Sequence, residues 1–430
     1  MSDGAAQVGA RATVLLTGLG HDGEAVGRLK DGRAVFVAGG LPGELAEIVI
    51  TEVKPRLARG RLAAIPEVPA EARLLVPRCP YYGTWPARGE EPDAWCGGCQ
   101  LQHMAYDAQL RFKAEAVRAA LSRIGRIENP PVAPTLGMAD PWRYRNTLRL
   151  HAAGGQLGLI ARDGRTLVPI EDCPIAHDGV ADLIPALAEA RLPDGCAVVI
   201  RAGTRTGDAQ VVLYDAYDTI ADLNVELDAS VVLVDGSSEV HLVAGQADIL
   251  EGVAGRGYTV PATAFFQANT AMADRLVEHV IAAVPARSRQ VVDAYCGVGL
   301  FTVALAPHVG AITGIDIDAA AIAAAVDNAA GLDNVTLIEG PVAEGLAAVD
   351  GPVDAVVVDP PRAGLEPAVL ELLAARAPGT IVYVSCEPSS LARDVRRLAE
   401  SGYALVSCQP IDMFPQTHHV ETVSVLERRA

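Results

Sequence analysis

At 430 residues the chain is too long for one ordinary hydrophobic core, so two or three domains are expected. Half of it is hydrophobic, yet no run of about eighteen apolar residues free of charges or turn signals occurs and Met1-Ser-Asp-Gly does not open a signal peptide, which predicts a cytoplasmic protein with no membrane partner. Eight cysteines are too sparse for a disulfide scaffold, and a net charge of −18 argues, as an average, against a nucleic-acid binder.

In chain order, residues 10–65 alternate short β-rich runs, Ala12-Thr-Val-Leu-Leu and Ala34-Val-Phe-Val among them, with Gly-rich turns, the pattern of a small barrel. Pro66 and Pro69 then mark a linker. The expected division is a barrel over 8–66, a central domain over 67–265 and a C-terminal domain over 266–430. The central part holds a cysteine cluster, a helix expected from Tyr106 to Gly125 and strand-like runs at 145–150, 197–201, 209–214 and 230–234, a mixed α+β pattern. Within it Cys79, Cys96-Gly-Gly-Cys99 and the distant Cys173 supply four thiols, whose spacing suits zinc or an iron–sulfur cluster equally. Cys196 and Cys408 have no partner pattern and are expected to be small core residues.

After Ala268 strands alternate with alanine-rich helical segments, the signature of a parallel, doubly wound sheet. Its strands are expected at 290–293, 311–316, 335–339, 355–359 and 380–385, closed by a pair near 403–407 and 421–426. Charge is partitioned with the fold. From Gln290 to Pro361 there are ten acidic residues and no Lys or Arg, whereas Lys54, Arg56, Arg59 and Arg61 form one basic cluster and Arg143, Arg145, Arg149, Arg162 and Arg165 another. A polyanion is expected at those clusters if anywhere, though solvated faces would look the same.

Ligands of open α/β sheets sit at the carboxyl ends of the strands, where a glycine turn lets the backbone approach. Asp293-Ala-Tyr-Cys-Gly-Val-Gly ends the first strand of this sheet, and Asp316 ends the next, placed to take the hydroxyls of a ribose. No third glycine follows to seat a pyrophosphate, which favours a cofactor without phosphate, S-adenosylmethionine being the common one. Asp359-Pro-Pro-Arg ends the fourth strand.

The ordered set Phe265-Phe-Gln-Ala-Asn, Asp293-Ala-Tyr-Cys-Gly-Val-Gly, Gly314-Ile-Asp, Asp359-Pro-Pro-Arg, Val384-Ser-Cys-Glu-Pro and His419-Val-Glu-Thr-Val resembles the bacterial RNA uracil-C5 methyltransferases, over essentially the whole chain. Within them it is similar to the branch with an N-terminal TRAM domain, a small RNA-binding barrel, and a 4Fe–4S cluster. The resemblance implies a Rossmann-like class I methyltransferase domain with a final antiparallel strand, S-adenosylmethionine contacts at Gln267, Tyr295, Asp316 and Asp359, a nucleophile at Cys386 and a base at Glu421. It also assigns Cys79, Cys96, Cys99 and Cys173 to the cluster. Two positions depart from the family pattern: Leu300 and Gly340-Pro-Val stand where asparagines are frequent, so the cofactor contacts there fall to backbone or are lost. The gap from Cys79 to Cys96 is longer than the family usually has.

The chemistry needs such residues. Uracil C5 is a poor nucleophile, and a thiolate that adds to C6 raises its electron density enough to attack a methyl sulfonium. A base must then remove the C5 proton so that the thiol can leave. Cys296, inside the glycine loop, is expected to be a packing residue, and Arg362 to hold the enolate oxygen or a phosphate. A base extruded from single-stranded or loop RNA is the expected substrate, ribosomal RNA by resemblance, with no obligate protein partner. The alternatives are the same reaction on transfer RNA, an RNA methyltransferase acting on another base, and an inactive RNA-binding protein.

Overall fold

A computed structural model describes residues 7–429 apart from 21, 67–72, 75, 84–93 and 216–226. Pro69 of the expected linker and most of the long Cys79–Cys96 loop lie outside the described residues. Two compact units emerge, the first comprising residues 1–116, 158–170 and 414–419 and the second 117–157, 171–413 and 420–430.

The first unit opens with five strands, β1 (Arg11–Leu19), β2 (Ala25–Arg28), β3 (Ala34–Ala38), β4 (Leu45–Val53) and β5 (Leu57–Ala64), which close into a barrel in the order β1-β2-β3-β5-β4. Alternation produces this: Val14, Leu16, Val35, Val37, Ile48, Ile50 and Leu62 all point inward and form one buried cluster. The barrel is narrow enough that Gly27 has no room for a side chain, since a Cβ there would lie 2.3 Å from Val14 Cγ1. At its edge Glu44 accepts from the Leu41 amide (2.8 Å), and the Arg73 guanidinium grips both of its carboxylate oxygens, with Nη2 2.7 Å from Oε2. Both side chains are fully buried, so the pair is a two-pronged tie that neither partner could lose cheaply.

Helix α1 (Tyr106–Arg123) runs two residues short of the expected end, and β6 (Thr147–Ala153) starts two residues later than expected. The hairpin β7 (Gln156–Ile160) and β8 (Leu167–Pro169) follows.

In the second unit, after the short helices α2 (Asp178–Ala181) and α3 (Ile184–Glu189), come β9 (Ala197–Ala202), β10 (Ala209–Tyr214), β11 (Ser230–Val234) and β12 (Val240–Ala244). Strand β9 pairs antiparallel with both β6 and β10, and β10 and β11 run parallel. A separate hairpin, β13 (Asp248–Val253) and β14 (Arg256–Pro261), leads to helix α4 (Thr270–Ala283).

The remainder is a doubly wound sheet. Strands β15 (Gln290–Ala294), β16 (Ala311–Asp316), β17 (Val335–Glu339), β18 (Ala355–Val358) and β19 (Thr380–Ser385) are parallel; β20 (Tyr403–Ile411) and β21 (Glu421–Arg428) are antiparallel to their neighbours. Their order is β17-β16-β15-β18-β19-β21-β20. Helices α5 (Leu300–Leu305), α6 (Ala319–Asn328), α7 (Val342–Ala348), α8 (Pro367–Arg376) and α9 (Pro388–Glu400) make the crossovers. Strands β18 and β19 are buried along their whole length, as central parallel strands are, which is why they appear in the sequence as unbroken apolar runs. The expected strands therefore match in type and order. The antiparallel pair inserts its last strand, β21, next to β19, so the chain's final strand lies inside the sheet.

Candidate active site

Parallel strands present their carboxyl ends along one edge, and an antiparallel strand presents its start there. Five of the residues expected at the site fall on that edge: Tyr295 after β15, Asp316 at the end of β16, Asp359 after β18, Cys386 after β19 and Glu421 at the start of β21. Ser385 pairs in register with Thr422, and the Thr422 hydroxyl donates to the Ser385 carbonyl (3.2 Å). Cys386 and Glu421 therefore leave two adjacent strands at the same level, although they are far apart in sequence.

The glycine loop is shaped by unusual backbone. Tyr295 is left-handed (φ 67°) and is followed by Gly297 (φ 53°) and Gly299 (φ 86°). A bulky residue at positive φ is strained; here the Tyr295 and Cys296 amides both donate to the Ile315 carbonyl (2.9 and 3.0 Å), which holds the turn against β16. Asp316 Oδ2 accepts from the Gly297 amide (2.8 Å) and Oδ1 from the Asp318 amide (2.9 Å), so this carboxylate is already aimed at the loop. Cys296 is buried, and Gly314 is the residue that makes room for its sulfur, a packing role as expected. Leu300 is also buried and opens α5, its carbonyl accepting from the Tyr258 hydroxyl (3.3 Å). The Gly340 amide donates to the Asp316 carbonyl (2.8 Å). At both departures from the family pattern the observed bonds are made by backbone.

Gln267 belongs to the segment entering α4. Its carbonyl accepts from Asn146 Nδ2 (2.9 Å), and the next residue but one, Asn269, caps α4 through its side chain and donates to the Met413 carbonyl (3.1 Å). That segment is thus anchored on both sides, with the Gln267 side chain largely buried.

Electrostatics link the rest. Burial pushes the Cys386 thiol up to about 11, with Glu421 and then Asp359 adding to it and Arg362 opposing. Burial likewise raises Glu421 well above the usual carboxylate range, reinforced by Asp359 and opposed by Arg362. Asp359 rises to about 7 through burial and the charge of Asp293. These four groups feel one another, so they form one site. It favours neutral acids over anions until a cation or a proton acceptor arrives. Glu421 Oε1 has no hydrogen-bond partner among the described residues.

Two residues with a part in the site went unassigned from sequence. Asp293 is wholly buried; Oδ2 accepts from the Thr302 hydroxyl (2.6 Å), Oδ1 has no partner among the described residues, and burial raises it to about 7. Its place in the glycine motif was a signal, but its burial was not readable. Asp394, on α9, accepts from the Leu365 amide (2.8 Å) and the Tyr383 hydroxyl (2.9 Å), with Arg393 alongside. It thereby clamps the turn after Asp359-Pro-Pro-Arg362, where Gly364 is left-handed and a Cβ would strike Asp394 Oδ2. No local pattern marks this aspartate.

The thiols expected to bind metal are buried. Cys79, Cys96 and Cys99 lie in the first unit and Cys173 in the second. Cys96 Sγ accepts from the Gly98 amide (3.3 Å), a bond that suits a charged sulfur. The donor chemistry fits a soft metal centre. Of the second arginine cluster, Arg143, Arg145 and Arg149 belong to the second unit and Arg162 and Arg165 to the first. Arg143 is held by both oxygens of Asp172 (2.7 and 2.8 Å), so it serves the fold as an ion pair.

Comparison with known proteins agrees with this arrangement. The TRAM domain family matches residues 5–63, and the tRNA (Uracil-5-)-methyltransferase family matches 218–351 and 344–429. An uncharacterized RNA methyltransferase of Thermosynechococcus vestitus is 32% identical over 98% of both chains, and one of Halalkalibacterium halodurans is 35% identical over 97% of this chain and 96% of its own. The crystal structure of Pyrococcus abyssi tRNA (uracil-54, C5)-methyltransferase with S-adenosyl-L-homocysteine superposes with a TM-score of 0.74 at 25% identity, over 96% of this chain and 100% of that one. With near-complete coverage of relatives above 30% identity, a TRAM domain match over residues 5–63 and a carboxylate-lined sheet edge, the chain belongs to the RNA uracil-5 methyltransferase family.

Proposed function

We propose that the protein methylates C5 of a uridine in 23S ribosomal RNA through a covalent adduct on Cys386. The observation that carries this reading is the juxtaposition of Cys386 and Glu421 at the ends of two register-paired strands. Bound S-adenosylmethionine supplies an electrophilic methyl group. Tyr295 and the loop backbone, Asp316 and Asp359 hold that donor from the sheet edge, and Gln267 does so from the entry to α4. Cys386 Sγ, once its proton has passed to solvent, adds to C6 of the extruded uracil; burial holds the resting thiol up at about 11, so that loss must come first. Arg362 works in this direction by favouring both anions. After C5 has been methylated, Glu421, in the ionised form that Arg362 favours, takes the C5 proton. Its raised pKa makes it a stronger base than an ordinary carboxylate, and the electron pair returns to expel Cys386.

Cys79, Cys96, Cys99 and Cys173 are assigned to a 4Fe–4S cluster, on the chemistry of four thiols. The ribosomal target rests on the pairing of these cysteines with the TRAM barrel. Transfer RNA is the second reading, favoured by the substrate named for the Pyrococcus abyssi enzyme. Among the described residues no helix is long and apolar enough to cross a membrane, and a cytoplasmic enzyme fits the substrate.

Replacing Cys386 by Ala should abolish both methyl transfer and the RNA adduct, whereas Glu421→Gln should accumulate the adduct as a slow band on denaturing gels. Methylation by the Cys386→Ala protein would sink the mechanism. Mass mapping of 5-methyluridine in ribosomal and transfer RNA from a strain lacking the protein decides between the targets.

A further inference from the structure

Gln267, Ala268, Asn269 and Thr270 are tied down one after another. The Gln267 carbonyl accepts from Asn146 Nδ2 (2.9 Å), and the Ala268 carbonyl accepts from the Asn146 amide (2.9 Å). Asn269 Nδ2 donates to the Met413 carbonyl (3.1 Å), and the Thr270 hydroxyl donates to Glu251 Oε2 (2.8 Å). Just upstream, Arg201 donates to the Pro261 and Ala264 carbonyls (2.8 and 2.6 Å). None of these bonds is made by the Gln267 side-chain amide, so the backbone that carries it must place it.

The ties meet at Thr270. Its hydroxyl gives its proton to Glu251 and accepts from Asn146 Nδ2 (3.1 Å), the same nitrogen that holds the Gln267 carbonyl. The Asn146 amide is turned that way because its Oδ1 accepts from the Thr147 hydroxyl (3.0 Å). Glu251, on β13, is fixed in turn: Oε2 also accepts from the Thr204 amide and hydroxyl (2.9 and 3.0 Å), and Oε1 from the Gly252 and Arg205 amides (2.8 and 3.3 Å). Asn146, Glu251 and Thr270 are all buried, where a satisfied network is stiff and a missing bond is costly. The whole relay, from the turn after β9 and from β13 through Thr270 and Asn146 to the Gln267 backbone, lies within the second unit.

The entrance of a helix needs only its cap, and the Asn269 side chain already supplies that by accepting from the Met272 amide (3.2 Å). The relay through Thr270 and Asn146 is therefore surplus to α4. It is what a binding group on the preceding residues needs, because a displacement of about 1 Å at such a group can cost on the order of a hundred-fold.

We propose that Thr270, held between Glu251 and Asn146, is a positioning residue that fixes Gln267 for the methyl donor without touching the donor itself. The inference rests on the reading of Gln267 as a donor contact, and it adds the side chains that keep that contact in place.

The test measures S-adenosylhomocysteine binding by calorimetry and hydrogen exchange by mass spectrometry, both on the full-length protein. Thr270→Val keeps the shape and removes the hydroxyl, whereas Thr270→Ser keeps the hydroxyl. Thr270→Val should weaken S-adenosylhomocysteine binding about ten-fold, as the loss of one buried hydrogen bond would. It should also speed exchange over residues 265–269 by about ten-fold, while Thr270→Ser stays near wild type in both. In the Gln267→Ala background, where the amide to be placed is gone, Thr270→Val should weaken binding no further. Thr147→Val, which removes only the bond that orients the Asn146 amide, carries the same test if Thr270→Val does not fold. An equal loss of affinity in both backgrounds, or unchanged exchange over 265–269, overturns the positioning role. Wild-type affinity in Gln267→Ala alone would instead tell against Gln267 as a donor contact; faster exchange in Thr270→Val would then still support the clamp, and unchanged exchange would overturn it.

Discussion

Replacing Asp293 by Asn should make the protein more stable, and more so as the pH rises. The carboxyl is wholly buried, one oxygen has no partner among the described residues while the other accepts from the Thr302 hydroxyl, and burial lifts its pKa from 3.8 to about 7 against the lowering effect of Thr302. In the unfolded chain the same group ionises near 4. Between those values the native state holds a proton that the unfolded state has released, so native stability is full below about pH 4 and is lost as the pH climbs through 7. At about 1.36 kcal/mol per pH unit, the interval from pH 5.5 to 7 alone removes about 2 kcal/mol. Asn stays neutral throughout and escapes this loss, although its amide is a poorer partner for Thr302 and costs about 1 kcal/mol at pH 5.5. Thermal unfolding of both proteins without S-adenosylmethionine, from pH 5.5 to 8, should show the Asn variant gaining roughly 4–8 °C on the wild type across the range. A difference that stays flat with pH would mean that Asp293 ionises as an ordinary carboxyl and would refute the reasoning.

Affinity for S-adenosylmethionine should tighten as the pH rises from 6 to 8, because Asp359 becomes anionic through about 7 and a sulfonium is a cation; S-adenosylhomocysteine, with a neutral sulfur, should change less by calorimetric titration. Asp394→Ala strands the Tyr383 hydroxyl and Leu365 amide, a loss of about 2–4 kcal/mol in stability. As a positioning residue it should also lower kcat more than it raises KM for the methyl donor, while Asp394→Asn recovers part of both. Arg73→Ala leaves Glu44 buried without its cation and should cost about 3–5 kcal/mol, read by chemical unfolding monitored on the barrel. Anaerobically purified protein should be brown with one cluster per chain; stoichiometric zinc in a colourless protein would refute the iron–sulfur assignment.

The doubly wound sheet was legible because central parallel strands are apolar on both faces and so stand out against alanine-rich helices. Cys386 could be placed at a strand end from its own flanks. Glu421 could be placed at the start of the last strand in the same way, but not beside Cys386, since that depends on β21 inserting beside β19, a pairing between residues that no local pattern connects. The resemblance supplied what periodicity lacked. The arginine cluster at 143–165 shows what closeness in sequence leaves out: its members divide between two units, and Arg143 is paired with both oxygens of Asp172. Asp293 and Asp394 were visible as letters, but burial and clamping are properties of the packed interior.

The position of β21 bears on how the enzyme comes to life during synthesis. The glycine loop, Asp316, Asp359 and Cys386 are all translated before residue 421, and the strand that seats beside β19 and brings Glu421 follows them. On the proposed mechanism a nascent chain stalled between β20 and β21 would hold the nucleophile without the base. Any reaction it began would leave it bonded to RNA, so on that mechanism turnover waits for β21.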